Sequence, residues 1–294
     1  MNPHDEGFLA DRLASPAQEE SIVDMIGVQT APVGAALVGV LTLARPEYRN
    51  AMTLAGWRRL DAMVRHLSEN TRVRAIVIRG AGDQSFSAGA DISEFPTERS
   101  SPETGAAYGA AISAALRAIQ SAPVPVIAMI SGFAVGGGCE LAAACDVRIA
   151  STDSRFGIPI GKLGVTLGLT ETRAVLSAIG AASLKHLVYS GKLVTAERAS
   201  RIGLVQEVVD RDDLATFTAS LVRNIVMSAE TTVRATKILT ELASDSAVQE
   251  SEEFVASLTV EAYGGADLRE GVDAFLHGRT PRFAAERSSM HVRA

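Results

Sequence analysis

Gly132-Phe133-Ala134-Val135-Gly136-Gly137-Gly138-Cys139-Glu140 closes a short apolar run, and its glycines 136–138 lead into an apolar segment that reads as a helix. A buried strand that ends in glycines and enters a helix is the repeating step of an α/β fold. Side chains this small let a ligand lie against the main chain, and the first N–H groups of a helix have no partner inside it. A second stretch of the same character, Ser87-Ala88-Gly89-Ala90-Asp91-Ile92, closes another apolar run. Two amide donors aimed at one point would make an oxyanion hole, with Glu140 at hand for proton transfer.

Working outward, the chain alternates strand-like and helix-like units. Ala36–Leu43 is an apolar β run ended by Arg45-Pro46, and 75–78, 124–130 and 147–150 read as further buried strands. Thr53 caps a helix running to about Glu69, with Leu54, Trp57, Leu60, Met63 and Val64 near helical spacing. Buried strands separated by helices predict parallel pairing. Past Thr195 strand signals stop, and 195–205, 211–229, 231–244, 247–263 and 266–277 read as successive helices. Both glycine-rich turns then fall at C-terminal ends of parallel strands, where open α/β sheets place ligands.

The plainer readings stand beside these. The glycines 136–138 could serve only a tight strand-to-helix turn, where Gly tolerates positive φ. Asp91 could be an ordinary helix N-cap. Glu140 could simply satisfy free backbone N–H groups at a helix start. Near a helix N-terminus the dipole favours its carboxylate while burial raises its pKa, so the sequence leaves its protonation state open.

Bulk composition excludes several classes. A chain of 294 residues with net charge −6 has no footprint for nucleic acid and no polybasic surface for anionic lipid. Apolar runs are broken by Pro, Gly or charge well short of a membrane span. Cys139 and Cys145 suit neither a zinc site nor a disulfide framework, which points to the cytoplasm. Cys139 could have its pKa lowered by the helix start, but a small packed thiol is the simpler role. The histidines show no metal-ligand spacing. Arg79-Gly80-Ala81-Gly82 follows a strand, but Ser85 stands where a dinucleotide turn needs its third Gly. No G-x-S-x-G elbow is present. Residues 1–25 are acidic, without a signal core or presequence character, and read as a flexible or loosely docked arm.

In order, Arg45-Pro46-Glu47-Tyr48-Arg49-Asn50-Ala51-Met52, Phe86-Ser87-Ala88-Gly89-Ala90-Asp91-Ile92, the run from Gly132 to Asp146, Phe156-Gly157-Ile158-Pro159 and Glu270-Gly271-Val272-Asp273-Ala274-Phe275 resemble the crotonase superfamily, the enoyl-CoA hydratase/isomerase family. The resemblance covers about residues 25–283. It implies a spiral of ββα units with a C-terminal α-helical trimerisation region, often paired into a dimer of trimers. The expected division is an arm over 1–25, a ββα core over 26–200, a helical oligomerisation region over 201–283 and a tail over 284–294. The implied substrate is an acyl-CoA thioester, with no cofactor beyond the coenzyme A it carries.

By the same resemblance, the N–H groups of Ala90 and Gly137 bind the thioester oxygen as it becomes an enolate, and Glu140 moves a proton. Ala88, Asp91, Ile92 and Gly136 line the CoA path, with Arg49 and Ala51 beside it. Hydratases of the family carry a second glutamate after the proline of the Phe-Gly-x-Pro segment, and here that position is Ile160. Loss of one carboxylate from a two-base site removes about a hundred- to ten-thousand-fold of general catalysis. Glu171 lies nearby in sequence, with nothing to show that it reaches the pocket. A basic residue that many relatives carry near the C-terminal helix is Gly278 here, and Arg279 could take over its contact with a CoA phosphate. Enoyl-CoA hydration is the first expectation; isomerisation, decarboxylation and a catalytically weak acyl-CoA-binding paralogue remain open.

Overall fold

A computed structural model describes residues 4–15, 22–244 and 265–283. The chain opens with α1 (His4–Ala14), β1 (Ile22–Val23), β2 (Ile26–Val33) and β3 (Ala36–Leu43). Then come α2 (Leu54–Glu69), β4 (Val73–Gly80), β5 (Ser85–Ser87), α3 (Phe95–Glu98), α4 (Pro102–Ser121), β6 (Val126–Ile130), β7 (Phe133–Val135) and α5 (Gly137–Ala144). After them lie β8 (Val147–Ser151), β9 (Arg155–Gly157), α6 (Leu169–Ser190), β10 (Val194–Thr195), α7 (Ala196–Arg201) and β11 (Glu207–Val209). The described chain ends with α8 (Leu214–Met227), α9 (Glu230–Ser244) and α10 (Ala266–Leu276).

A seven-stranded sheet runs β1-β2-β3-β4-β6-β8-β11, parallel from β3 onward, and a four-stranded sheet runs β10-β9-β7-β5. The chain passes from the large sheet to the small one three times, β4 to β5, β6 to β7 and β8 to β9, and a helix follows each time. That is the ββα spiral the resemblance implies.

Burial on both faces explains why the central strands read as unbroken apolar runs. Successive side chains on a strand point to opposite faces. Ile76, Ile78, Val126, Ala128 and Ile130 accordingly join a core with Trp57 and Leu60 of α2 and Leu116 of α4. Ala75, Val77, Ile127 and Met129 face the other way, into a second core with Leu9 and Leu13 of α1 and Val222 of α8.

Two parts of the chain differ from the sequence expectation. The stretch read as a flexible or loosely docked arm contains α1, whose Leu9 and Leu13 are fully buried. Arg79 of β4 secures its end by donating to the carbonyls of Leu13 (2.6 Å) and Ser15. An isolated pair of leucines one turn apart is easily hidden by the acidic composition around it. Secondly, strand signals were expected to stop past Thr195, yet β11 adds to the large sheet parallel to β8. Its three residues sit at an edge, and Val208 and Val209 alone are too short an apolar run to read as a buried strand. The large sheet therefore takes in residues 207–209.

The helices expected over 211–229, 231–244 and 266–277 correspond to α8, α9 and α10; the one expected over 247–263 lies outside the described residues. Lys237 anchors α9 to the core, donating to the carbonyls of Ile119 and Val124 (both 3.0 Å) and to Asp146 Oδ2 (2.7 Å).

Candidate active site

Strands β5 and β7 pair in parallel, Ser85 opposite Phe133 and Ser87 opposite Ala134. Their C-terminal ends therefore lie side by side, and the two small-residue turns leave them as neighbours. Met52 holds the first turn by a single parallel bridge to Ala90. Its N–H donates to Gly89 O (2.7 Å) and its carbonyl accepts from Asp91 N–H (2.8 Å). In such a bridge the N–H of the central residue points to the opposite side, so Ala90 N–H is turned away from Met52.

Gly137 opens α5, and its N–H has no acceptor within the helix. Neither the Ala90 N–H nor the Gly137 N–H donates to any described residue. The two nitrogens lie close together: a Cβ placed on Gly137 would lie 3.5 Å from Ala90 N, and one on Gly89 would lie 2.7 Å from Gly137 N. Gly89 (φ 89°) and Gly136 (φ 55°, ψ −126°) adopt conformations that L side chains rarely accept, which is why glycine occupies both turns. The two turns thus bring two unengaged main-chain N–H groups close together.

Glu140 sits one turn into α5, 5% exposed. Burial, reinforced by the negative charge of Glu171 and opposed by Arg99, pushes its carboxyl up to about 8. At neutral pH the group therefore holds a proton, an acid beside these amides. The stability consequence follows from linkage. Between the ordinary glutamate value near 4.3 and about 8, the folded chain binds a proton that the unfolded chain has released. Stability from this group is thus complete below the ordinary value and is lost as pH rises to about 8, by up to about 4–5 kcal/mol at 1.36 kcal/mol per pH unit. Glu140→Gln is expected to flatten that slope; urea melts of both proteins at pH 5 and pH 8 check it, and equal slopes would show the carboxyl ionised in the fold.

Beside these turns lies a cavity of about 570 Å³, lined by Ala88, Ala90, Ile92, Gly136, Gly137, Glu140 and Ile160 among others. That volume suits a small-molecule ligand. Three further sequence candidates support the turn and do not line this cavity. Asp91 takes the Arg45 guanidinium at 2.5 Å and caps Ser93 N–H (2.9 Å). Burial works against its charge, but hydrogen bonds from Arg45 and Ser93 prevail and hold its carboxyl below the usual range. Arg49 lies over the Phe133 ring, and its carbonyl accepts from Ala88 N–H (2.9 Å). Ala51 is buried, its carbonyl accepting from Arg45 Nη1 at 3.4 Å.

Two charged residues that spacing did not bring to the site also line the cavity, Arg99 and Glu171. Arg99 stacks against the rings of Tyr108 (4.1 Å) and Phe95 (4.6 Å). Glu171 enters from α6 and is 3% exposed. Cys139 is fully buried, its thiol pushed up to about 12 by burial, so it is packing and not a nucleophile. Among the described residues no cluster of His, Cys, Asp and Glu could hold a metal ion, and no helix is long and apolar enough to cross a membrane. Arg279 pairs with Glu270 (2.6 Å) and Asp273 (2.6 Å).

Known proteins are similar to this chain over most of their length. A family model described as enoyl-CoA hydratase/isomerase matches residues 34–286. A short-chain-enoyl-CoA hydratase of Clostridium acetobutylicum is 33% identical over 82% of this chain and 92% of its own. A crotonyl-CoA hydratase of Syntrophomonas wolfei is 33% identical over 85% of this chain and 95% of its own. The crystal structure of an enoyl-CoA hydratase/carnithine racemase from Magnetospirillum magneticum superposes with a TM-score of 0.83 at 32% identity, covering 90% of this chain and 97% of that one. With the ββα spiral and paired turns already in place, the chain belongs to the enoyl-CoA hydratase/isomerase family of the crotonase superfamily.

Proposed function

We propose that this protein adds water to a 2-enoyl-CoA. The observation that carries the reading is the pair of unengaged N–H groups, Ala90 and Gly137, meeting at the cavity that Glu140 lines. Water attack at C3 of the enoyl thioester drives electrons onto the thioester oxygen. Two preorganised donors at that oxygen stabilise the enolate more than the ground-state carbonyl. Proton delivery to C2 then completes the addition, and Glu140 holds a proton beside the hole for that step. The proposed chemistry uses main-chain donors and carboxyls, with coenzyme A entering as part of the substrate.

Hydratases at 33% identity support hydration over the related chemistries. Crotonoyl-CoA is the first substrate to test, following loss of the conjugated enoyl-thioester absorbance. Parallel assays on 3-enoyl- and malonyl-type thioesters test isomerisation and decarboxylation, and calorimetric titration measures binding alone. Fast hydration with slow turnover of the other two is expected. Binding without turnover of any of them would overturn the reading in favour of a binding protein.

The same reading includes a homotrimer or a dimer of trimers built through the C-terminal helices. It is supported by α10, which leaves Phe275 (85%) and Leu276 (73%) exposed on a single chain. Light scattering is expected to give three or six times the chain mass, and a monomer would contradict this part. The two free, buried cysteines suit a reducing cytoplasm.

A further inference from the structure

We propose that Glu171 is the second catalytic carboxylate of this site, taking the place that Ile160 leaves empty and accepting the proton of the attacking water. The inference rests on the hydratase reading and assigns a residue to it. Glu171 approaches the cavity from the first turn of α6, eleven positions beyond Ile160, and lines the same space as Glu140 and the two amide donors. Its two oxygens are differently engaged. Oε1 accepts from the Ser113 hydroxyl of α4 at 2.9 Å, while Oε2 is fully buried with no hydrogen-bond partner among the described residues.

A buried, unpartnered carboxylate oxygen is costly, on the scale of a lost charged hydrogen bond. Such a cost is ordinarily retained where a ligand supplies the missing donor, and a water molecule held for attack is such a donor. The surrounding chain makes room for this oxygen: a Cβ on Gly168, the residue capping α6, would lie 2.2 Å from Oε2. Only glycine at that cap leaves the carboxylate where it is. The charged neighbours of Glu140 in the site are Glu171 and Arg99, and the negative charge of Glu171 raises the Glu140 carboxyl.

One proton shared between the two carboxyls balances the reaction. Water gives a proton to Glu171 as its oxygen bonds to C3, and the π pair of C2=C3 moves so that negative charge rests on the thioester oxygen. Glu140 then gives its proton to C2 as the carbonyl re-forms. One water has been added, Glu140 is left ionised and Glu171 holds the proton taken from water, and transfer of that proton to Glu140 restores the starting state.

The test compares wild type, Glu171→Gln, Ser113→Ala and the double variant Ile160→Glu/Glu171→Gln on crotonoyl-CoA. Glu171→Gln is expected to lower kcat by about a hundred- to ten-thousand-fold with KM changed by less than about threefold. Ser113→Ala, which frees Glu171 Oε1, is expected to lose kcat in the same direction by a smaller factor. Part of the lost rate is expected back in the double variant, where a carboxylate returns at the family position. A merely structural Glu171 would give no such return, and would change KM or folding instead. Glu171→Gln with wild-type kcat would overturn the assignment while leaving hydration intact. A wild type that binds crotonoyl-CoA without hydrating it would overturn the hydratase reading and the assignment of the water proton with it. Infrared titration of the Glu140 carboxyl then decides the pairing alone: in Glu171→Gln it is expected to ionise at lower pH than in wild type, and an unchanged titration overturns the pairing.

Discussion

Glu140→Gln is expected to lower kcat for crotonoyl-CoA hydration by about a hundred- to ten-thousand-fold, the range of a general acid–base group. The amide keeps the shape and polarity of the buried side chain but cannot hand a proton to C2. Binding of the thioester should be nearly unchanged, because the oxygen is held by main-chain groups and the acyl chain by the cavity wall. The pH profile adds a second signature. A carboxyl pushed up to about 8 by burial and by the charge of Glu171 donates a proton below that value and not above it. The wild-type rate on this limb should be level at neutral pH and fall above about 8, and the residual rate of the variant should lack that fall. Steady-state kinetics between pH 6 and 9.5 measure both effects. Equal rates in wild type and variant would remove Glu140 from the mechanism.

The second large effect concerns the main chain. Gly137→Pro is expected to cost about 3–4 kcal/mol of transition-state stabilisation, roughly a hundred- to a thousandfold in kcat, the effect of deleting one oxyanion donor. Position 137 is the first of α5, where proline is tolerated because its missing N–H breaks no helical hydrogen bond. Bulk has to be separated from the lost donor, since a Cβ there lies 3.1 Å from the Trp57 ring edge. Gly137→Ala supplies that control, carrying the same Cβ while keeping the N–H. Proline is expected to lose far more than alanine while both remain folded by circular dichroism. Equal losses in the two would assign the effect to crowding.

How much of this was readable in the sequence depended on how local the signal was. The two turns rest on glycine at positions where a side chain would collide with backbone: a Cβ at Gly138 would lie 2.2 Å from Ser87 O, and one at Gly132 would lie 2.0 Å from Gln84 O. Small residues in those turns are a local necessity, and they stood out beside apolar strands. Glu140 was legible for the same reason, one turn beyond the glycines. Arg99 and Glu171 were not, because only packing brings them to the cavity. Ser113 and Glu171 meet through α4 and α6 from 58 residues apart, and no pattern along the chain encodes that contact. Arg49, Ala51 and Asp91 show the reverse case. The sequence drew attention to a loop that matters, while the structure turns those residues toward Arg45, Phe133 and the backbone of the turn.

The most direct test of the converging amides is the carbonyl stretch of crotonoyl-CoA labelled with carbon-13 at C1, recorded by difference infrared spectroscopy on the bound complex. Two N–H donors on one thioester oxygen should polarise the bond, moving its stretch below the value in solution, and Gly137→Pro should return most of that shift. An unshifted carbonyl in the wild-type complex would mean that positions 90 and 137 do not meet at the substrate oxygen.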